Sequence, residues 1–149
     1  MASDSIQILI PESAQDFEYY YDLRWRILRE PWQQPRGSEQ DELESASWHR
    51  MACAEGRIPI GVARLHLNSP EQAQIRYMAV EATHRQQGVG TALVRSLEDQ
   101  ALRSGAQEIL LHARDETLGF YTQLGYQILG PSHTLFKSIH HHALSKQLV

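Results

Sequence analysis

A pair of glycines in the middle of the chain is the first feature whose residue types and spacing could do chemistry. Gly88 and Gly90 lie in the stretch HRQQGVGTAL, residues 84–93, after an apolar run and before a helical pattern. The start of a helix presents unpaired N–H groups and the positive end of the helix dipole, and glycines let a phosphate come close to the backbone. The stretch therefore predicts a turn that binds a phosphate-bearing ligand.

The spacing around these glycines argues against two familiar nucleotide sites. A dinucleotide-binding turn has a third glycine three residues after the second, whereas this chain has Leu93 there. A P-loop needs a lysine next to its last glycine, and the lysines of this chain are Lys137 and Lys146. The turn then binds another phosphate-bearing ligand, or the helix merely begins with glycines.

A resemblance to a known family takes the interpretation further. The run from Arg85 to Gly90, RQQGVG, resembles the (Q/R)-x-x-G-x-(G/A) signature of the GNAT superfamily of acetyltransferases. The segment GFYTQLGYQILG, residues 119–130, resembles the F-Y-x-x-x-G-(F/Y) block of the same family. LRWRILREPWQ, residues 23–33, together with the later LHAR and GFY, is similar to the ElaA-like branch. The resemblance covers about residues 73–130 and implies the GNAT fold with acetyl-CoA as the acetyl donor.

The resemblance implies a cofactor site made mostly of backbone groups. In the family, the strand before the glycine turn binds the pantetheine arm, and the N–H groups of the turn bind the pyrophosphate. A basic side chain adjoining the turn adds positive charge. The predicted cofactor-binding residues are Met78, Ala79, Val80, Arg85, Gln86, Gln87, Gly88, Val89, Gly90 and Thr91.

Tyr121 matches the tyrosine that serves as general acid in many members of the family. Attack of an amine on a thioester expels a thiolate, and a phenol with a pKa of about 10 is still protonated at neutral pH and can donate to it. The other interpretation of Tyr121 is a core tyrosine beside Phe120.

The general base is less well defined by the sequence. Some relatives carry a glutamate where this chain has Gln74, which cannot accept a proton. His112 and His66 are the candidate bases, and a water relay is a third route. Arg114 replaces an asparagine that is frequent in the family, so the contact of that asparagine with the cofactor arm is not expected here.

These residues need elements to position them, and the apolar pattern predicts a mixed α/β fold. Helices are expected from Ser13 to Leu28, from the glycine turn to Gly105, and over 116–125, with a long polar loop containing a helical turn at 30–47. The predicted strands are 6–11, 48–55, 58–67, 73–80, 106–113, 126–130 and 133–140. We predict one α/β (α+β) domain over 1–149, with helices on both faces of a central mixed sheet.

The acceptor end of the site is predicted only in outline. In the family, the first helix and the following loop shape the acceptor pocket, so Tyr20, Arg24 and Trp32 are candidate acceptor contacts. The acceptor is expected to be a small amine or a peptide N-terminus. The histidines of IHHHA, residues 139–143, are not expected to bind metal, because adjacent strand residues point to opposite faces and no cysteine or acid lies at ligand spacing.

Composition narrows the class of protein further. A net charge of -4 without a basic patch argues against nucleic-acid binding, and no segment reaches the roughly 20 apolar residues of a membrane helix. The single cysteine, Cys53, excludes an internal disulfide and indicates a reducing, cytoplasmic location for a monomer or homodimer. We therefore predict an N-acetyltransferase that works by direct attack in a ternary complex. The alternative is a non-catalytic acyl-CoA sensor or interaction module on the same fold.

Overall fold

The computed structural model describes residues 5–149, and all of its strands belong to one seven-stranded sheet. The strands are β1 (Gln7–Leu9), β2 (Trp48–Cys53), β3 (Pro59–Leu67), β4 (Gln72–Val80), β5 (Glu108–Arg114), β6 (Gln127–Leu135) and β7 (Ile139–Gln147). Their order across the sheet is β1-β2-β3-β4-β5-β7-β6. Every neighbouring pair is antiparallel except β4 and β5, which run parallel. The predicted mixed sheet is confirmed.

Helices cover both faces of this sheet, as predicted. They are α1 (Ala14–Leu28), α2 (Val89–Arg103) and α3 (Leu118–Gln123). On one face, α1 buries Tyr20 and Leu23 against the sheet, while α2 and α3 bury Leu93, Leu97 and Tyr121 on the other. Within residues 5–149, no helix is long and apolar enough to span a membrane.

The ends of α1 and α2 follow from their flanking residues. Ser13 and Asp16 form a capping box at the start of α1, in which each side chain accepts a hydrogen bond from the backbone N–H of the other. Gly105 follows the last turn of α2 with φ of 88°, a conformation that glycine adopts without strain. These caps confirm where the sequence predicts each helix to begin or end.

Gly61 on β3 sets how closely α2 approaches the sheet. A Cβ atom at Gly61 would lie 2.6 Å from Cγ1 of Val89 and 3.1 Å from Cδ1 of Leu93. The missing side chain therefore lets the first turn of α2 lie directly on β3.

The prediction for the last two strands is wrong in its boundaries. The segment predicted as one strand, 133–140, contains a hairpin turn, so β6 ends at Leu135 and β7 continues from Ile139 to Gln147. Phe136 and Lys137 form this turn with φ of 50° and 66°. Neither phenylalanine nor lysine is typical of a left-handed turn. The sequence pattern therefore predicts one continuous strand here.

The long loop between α1 and β2 agrees with its prediction. It contains short 3₁₀ turns at Glu30–Trp32 and Glu44–Ala46. Between these turns, Asp41 accepts hydrogen bonds from Arg64 of β3 and Arg76 of β4. The loop is thereby fixed beside the parallel pair of strands.

The parallel pair is short, and this opens the sheet. β4 and β5 are paired only from Gln72 to Ile75 and from Glu108 to Leu111, after which they separate. In the same region the register between β3 and β4 shifts, so that a bulge forms at Tyr77. Tyr77 has φ of 60°, which is rare for an aromatic residue. A bulge bends and twists its strand, and this one lies where β4 leaves β5.

Candidate active site

The separation of β4 and β5 forms a cavity of about 880 Å³. The strand segments 74–80 and 111–114 form its walls. The turn before α2 lines the cavity, as do residues that follow α1 and residues of the β6–β7 hairpin. The volume lies within the range of pockets that enclose a ligand of several hundred daltons.

The turn before α2 has the donors that a pyrophosphate needs. Gly88 is the N-cap residue of α2 with φ of 84°, and its cap has no side-chain acceptor. The N–H groups of the first helical turn have no intrahelical partner, so those of Val89, Gly90 and Thr91 are available to a ligand. Arg85 is exposed beside them. The expected acetyl-CoA therefore fits the chemistry of this turn.

Most of the predicted cofactor-binding residues share this cavity. Gln87 is the exception: its side chain is exposed and donates to the carbonyl of Thr83 at 3.4 Å. Direct contact between each residue and a cofactor stays a prediction. The residues that line the cavity are Met78, Ala79, Val80, Arg85, Gln86, Gly88, Val89, Gly90 and Thr91.

Gly90 brings α3 close to the first turn of α2. A Cβ atom at Gly90 would lie 3.0 Å from Cζ of Phe120. The ring of Phe120 also packs against Tyr121, with 4.8 Å between the ring centroids. The glycine therefore helps to hold the predicted general acid near the turn.

Tyr121 lines the cavity although only 7% of it is exposed. Its ring also packs against Tyr126, so the core interpretation and the cavity position hold together. Burial raises the pKa of Tyr121 to about 12, which keeps its hydroxyl protonated at neutral pH. Among residues 5–149, this hydroxyl has no protein hydrogen-bond partner within reach.

His112 lies in the wall of the cavity together with two histidines that the sequence analysis missed. The ring of His112 packs edge-on against His133 at 5.3 Å, and His133 stacks on His141 at 4.3 Å. Partial burial lowers the pKa of His112 and His141, and the nearby His133 lowers that of His112 further. All three line the cavity.

The sequence alternation could have identified His141 as a cavity residue, but only if the hairpin turn before β7 had been predicted. With the turn placed at 136–138, alternation along β7 puts Ile139 and His141 on the cavity side, and both line the cavity. Within the described chain, no three potential ligands come together as a metal site.

Three other candidates from the sequence lie elsewhere. His66 is buried between Arg64 and Asn68, at 3.1 Å from each, and does not line the cavity. Tyr20 and Arg24 belong to α1, are fully buried and do not line the cavity, so the prediction that they contact the acceptor is wrong. The helical period places them on the face that packs against the sheet, and Nη1 of the arginine donates to the carbonyl of Glu39 and the carboxylate of Glu44.

Two of the residues expected near the acceptor or the base do line the cavity. Trp32 lies there, at the end of the first 3₁₀ turn after α1. Gln74 also lines it, and its side-chain oxygen accepts from Asn68 at 3.1 Å. The position that carries a base in some relatives is thus filled by a neutral, hydrogen-bonded amide.

The bulge residue Tyr77 lies at the centre of a group of arginines. The guanidinium carbons of Arg24, Arg29, Arg64 and Arg76 are 4.5, 5.7, 4.9 and 4.7 Å from the centroid of its ring. Aromatic faces attract cations at these distances. Arg29 and Arg76 line the cavity, so its part around Tyr77 carries positive charge.

Comparison with known proteins agrees with this geometry. A model of the acetyltransferase (GNAT) family matches residues 17–126. The uncharacterized N-acetyltransferase YjcF of Bacillus subtilis is 26% identical over 141 residues, covering 95% of this chain and 99% of that protein. The crystal structure of a putative N-acetyltransferase from Lactobacillus plantarum has a TM-score of 0.84 at 20% identity, covering 97% of this chain and 99% of that one.

Two further solved structures bear on the expectations from the sequence. A GNAT family acetyltransferase from Elizabethkingia anophelis, crystallised with acetyl-CoA bound, has a TM-score of 0.77 at 17% identity, covering 97% of this chain and 99% of that one. Escherichia coli ElaA has a TM-score of 0.75 at 16% identity, covering 96% and 99%, so it shares the fold. Since the family match covers most of the sequence, this chain belongs to the acetyltransferase (GNAT) family.

Proposed function

We propose that this protein is an N-acetyltransferase that transfers an acetyl group from acetyl-CoA to a primary amine by direct attack in a ternary complex. One observation supports this most strongly: the uncapped turn before α2 and the hydroxyl-bearing Tyr121 line the same cavity. The turn has the donors for a pyrophosphate, and the tyrosine has the proton for a leaving group.

Acetyl-CoA supplies the acetyl group. A C–N bond to the acceptor forms as the thioester C–S bond breaks. The thiolate that leaves must then be protonated, and the nitrogen of the acceptor must lose a proton. Tyr121 gives its phenolic proton to the sulfur, and its raised pKa ensures that this proton is present. His112 takes the proton from the amine, directly or through water. No net oxidation or reduction occurs.

The separated part of β4 orients the acetyl donor in this proposal. Within residues 5–149, no strand pairs with β4 on the β5 side beyond Ile75, so backbone groups on this side are open to an extended arm. The carbonyl of Val80 accepts a hydrogen bond from Nε of Arg85 at 3.4 Å. Met78, Ala79 and Val80 supply these groups, and a backbone N–H among them would polarise the thioester carbonyl. This positioning reduces the entropy cost of bringing amine and thioester together.

Thiol release from acetyl-CoA with a panel of amines tests the proposal. We expect Tyr121→Phe to lower kcat by about 10²–10⁴-fold while the affinity for coenzyme A, measured by calorimetry, changes little. Tyr126→Phe is the matched control, since it removes a buried hydroxyl that bonds to Glu98 and does not line the cavity. Unchanged turnover in Tyr121→Phe would remove this residue from the mechanism.

The same assay separates the enzyme from a non-catalytic acyl-CoA sensor. A sensor would bind coenzyme A and release no thiol above background with any amine.

We also propose one domain over 1–149, supported by a single sheet that takes strands from Gln7 to Gln147. The cytoplasmic location and the monomeric or homodimeric state stay predictions.

A further inference from the structure

Arg29 lines the cavity and forms no salt bridge with any residue in 5–149. Its guanidinium donates to the carbonyl oxygens of Ser38 and Leu28, both at 3.0 Å, through Nε and Nη1. Nη2 makes no hydrogen bond to any residue in 5–149, and no carboxylate oxygen of that range lies within salt-bridge distance. The two carbonyls fix the plane of the guanidinium, so the remaining N–H groups have a defined direction.

Arg76 is a second cavity arginine with unused donors. It is on β4 next to the bulge, its side chain is 47% exposed, and Nη1 donates to Asp41 at 2.9 Å. The remaining nitrogens, Nε and Nη2, have no partner in the described chain. Arg29 and Arg76 are both within 6 Å of the ring of Tyr77, which places their charges around one part of the cavity.

The carboxylates near these arginines are already in use. Asp41 forms salt bridges with Arg64 and Arg76, and Glu44 forms them with Arg24 and Arg64. Glu39 accepts from the N–H of Gly37 and the side chain of Gln40. Four guanidinium groups therefore face three carboxylates, and the excess charge is positive.

The cavity wall itself is also nearly free of acids. Glu116 is its one carboxylate among the described residues, and it lies 3.6 Å from Arg114. A polycationic acceptor, such as a polyamine, would need several carboxylates to replace its hydration. The part of the cavity around Tyr77 offers Arg29 and Arg76 instead.

We infer that the acceptor is an amine that also carries a carboxylate, of the amino-acid class, and that Arg29 and Arg76 bind this carboxylate. The inference rests on the proposed acetyl transfer and adds the class of acceptor to it. A guanidinium with two free N–H groups matches the two oxygens of a carboxylate. The carboxylate would be held in the same cavity that His112 and Tyr121 line, and Arg76 is close enough to His112 to lower the pKa of that imidazole.

Matched pairs of acceptors test this directly. The common L-amino acids are compared with their carboxamides as acceptors, by thiol release at neutral pH, with spermidine as a polycation. The amide has the same side chain and a less basic amine, so intrinsic reactivity favours the amide. We expect kcat/KM to be at least about tenfold higher for the acid form of the preferred amino acid.

Substitution of Arg29 and Arg76 tests whether these two residues cause the preference for an amino acid over its carboxamide. We expect Arg76→Gln and Arg29→Gln each to lower kcat/KM for the acid by about tenfold to a hundredfold and to leave the value for the amide almost unchanged. Arg103→Gln is the control, because Arg103 is exposed at the end of α2 and does not line the cavity. Thermal melts of each variant check the fold, and Arg76 is the safer position since half of its side chain is exposed.

The outcomes distinguish the two proposals. The carboxylate inference would be overturned if kcat/KM were higher for amides or spermidine than for the amino acids. It would also be overturned if the arginine variants lowered kcat/KM equally for the acid and the amide. Either result would leave the proposed acetyl transfer intact. Thiol release with none of the amines, despite normal coenzyme A binding, would overturn the proposed function itself. Calorimetric binding of an N-acetyl amino acid that is lost in Arg29→Gln supports the inference without any turnover.

Discussion

His112 combines access to the cavity with a pKa below that of an ordinary histidine. Burial of part of the ring disfavours its charged form, and so does the proximity of His133 and Arg76. His141, which stacks on His133, has a lowered pKa as well, mainly because of burial. The neutral form of His112 therefore dominates at physiological pH, which is the form that can take a proton from an ammonium group.

This state of His112 predicts the pH dependence of the enzyme. Because the folded pKa lies below the usual value of 6.5, activity should persist at neutral pH and fall as the pH drops through that lowered pKa. We expect His112→Gln to reduce kcat/KM by about a hundredfold and to abolish this acidic limb. The measurement is thiol release from pH 5 to 9.

His140→Gln is the matched control for that profile. His140 is exposed on β7, its Nδ1 is 3.0 Å from the hydroxyl of Thr134, and it does not line the cavity. A wild-type rate and acidic limb in His112→Gln would show that water, and not this imidazole, removes the proton.

At the scale of elements, the loop between α1 and β2 is held by buried charges. Glu44 accepts from the guanidinium groups of Arg24 and Arg64, at 3.0 and 2.6 Å, and from the hydroxyl of Tyr21 at 3.1 Å. Both arginines are fully buried. The loop is therefore part of the packed structure and gives the end of the cavity near Trp32 a fixed shape.

We predict that Glu44→Gln destabilises the protein strongly. The change leaves two buried guanidinium groups short of negative charge, and breaking such a pair costs about 3–5 kcal/mol. Urea unfolding measures this as a lower midpoint. Glu42→Gln, an exposed residue two positions earlier, should change the free energy of unfolding by at most about 0.5 kcal/mol. A similar small effect in both variants would contradict a structural role for the buried cluster.

The elements differ in how far the sequence could predict them. The cap at Ser13, the apolar period of α2 and the glycine turn are local signals, and each predicts its element correctly. The left-handed turn at Phe136 and Lys137 has no such local signal. It is held by the pairing of β6 with β7 on either side of it, and the position of β7 depends in turn on its pairing with β5, which lies far from it along the chain.

The site shows the same division between local and long-range information. The glycine turn and Tyr121 could be identified because their family motifs are contiguous in sequence. Arg29 could not, since its place in the cavity depends on a loop that folds back to Ser38. The bulge at Tyr77 also gives no sequence signal, because its cause is the mismatch between β3 and β4 rather than a turn-forming residue.

For the whole molecule, we predict that coenzyme A raises the thermal stability. A ligand present at 100 times its Kd stabilises the native state by about 2.7 kcal/mol, which raises Tm by about 5–10 °C for a chain of this size. Gly90→Glu should remove this shift, because it brings a negative charge and a side chain to the pyrophosphate turn. The measurement is a thermal melt with and without coenzyme A.

Gly90→Ala separates charge from crowding in that experiment. Its Cβ would lie 3.0 Å from Phe120, at the far end of a side chain that can shift. We expect this variant to keep most of the ligand-induced shift. An undiminished shift in Gly90→Glu would place the pyrophosphate elsewhere.

The gap between β4 and β5 gives the sheet a third edge inside the molecule. The outer edges at β1 and β6 present unpaired backbone groups to other protein molecules, which is the usual route to aggregation. The inner edge has the same unpaired groups beyond Ile75, but the walls of the cavity surround it. The exposed backbone that would be a hazard on the outside is thus enclosed, where the extended arm of the proposed acetyl donor can reach it.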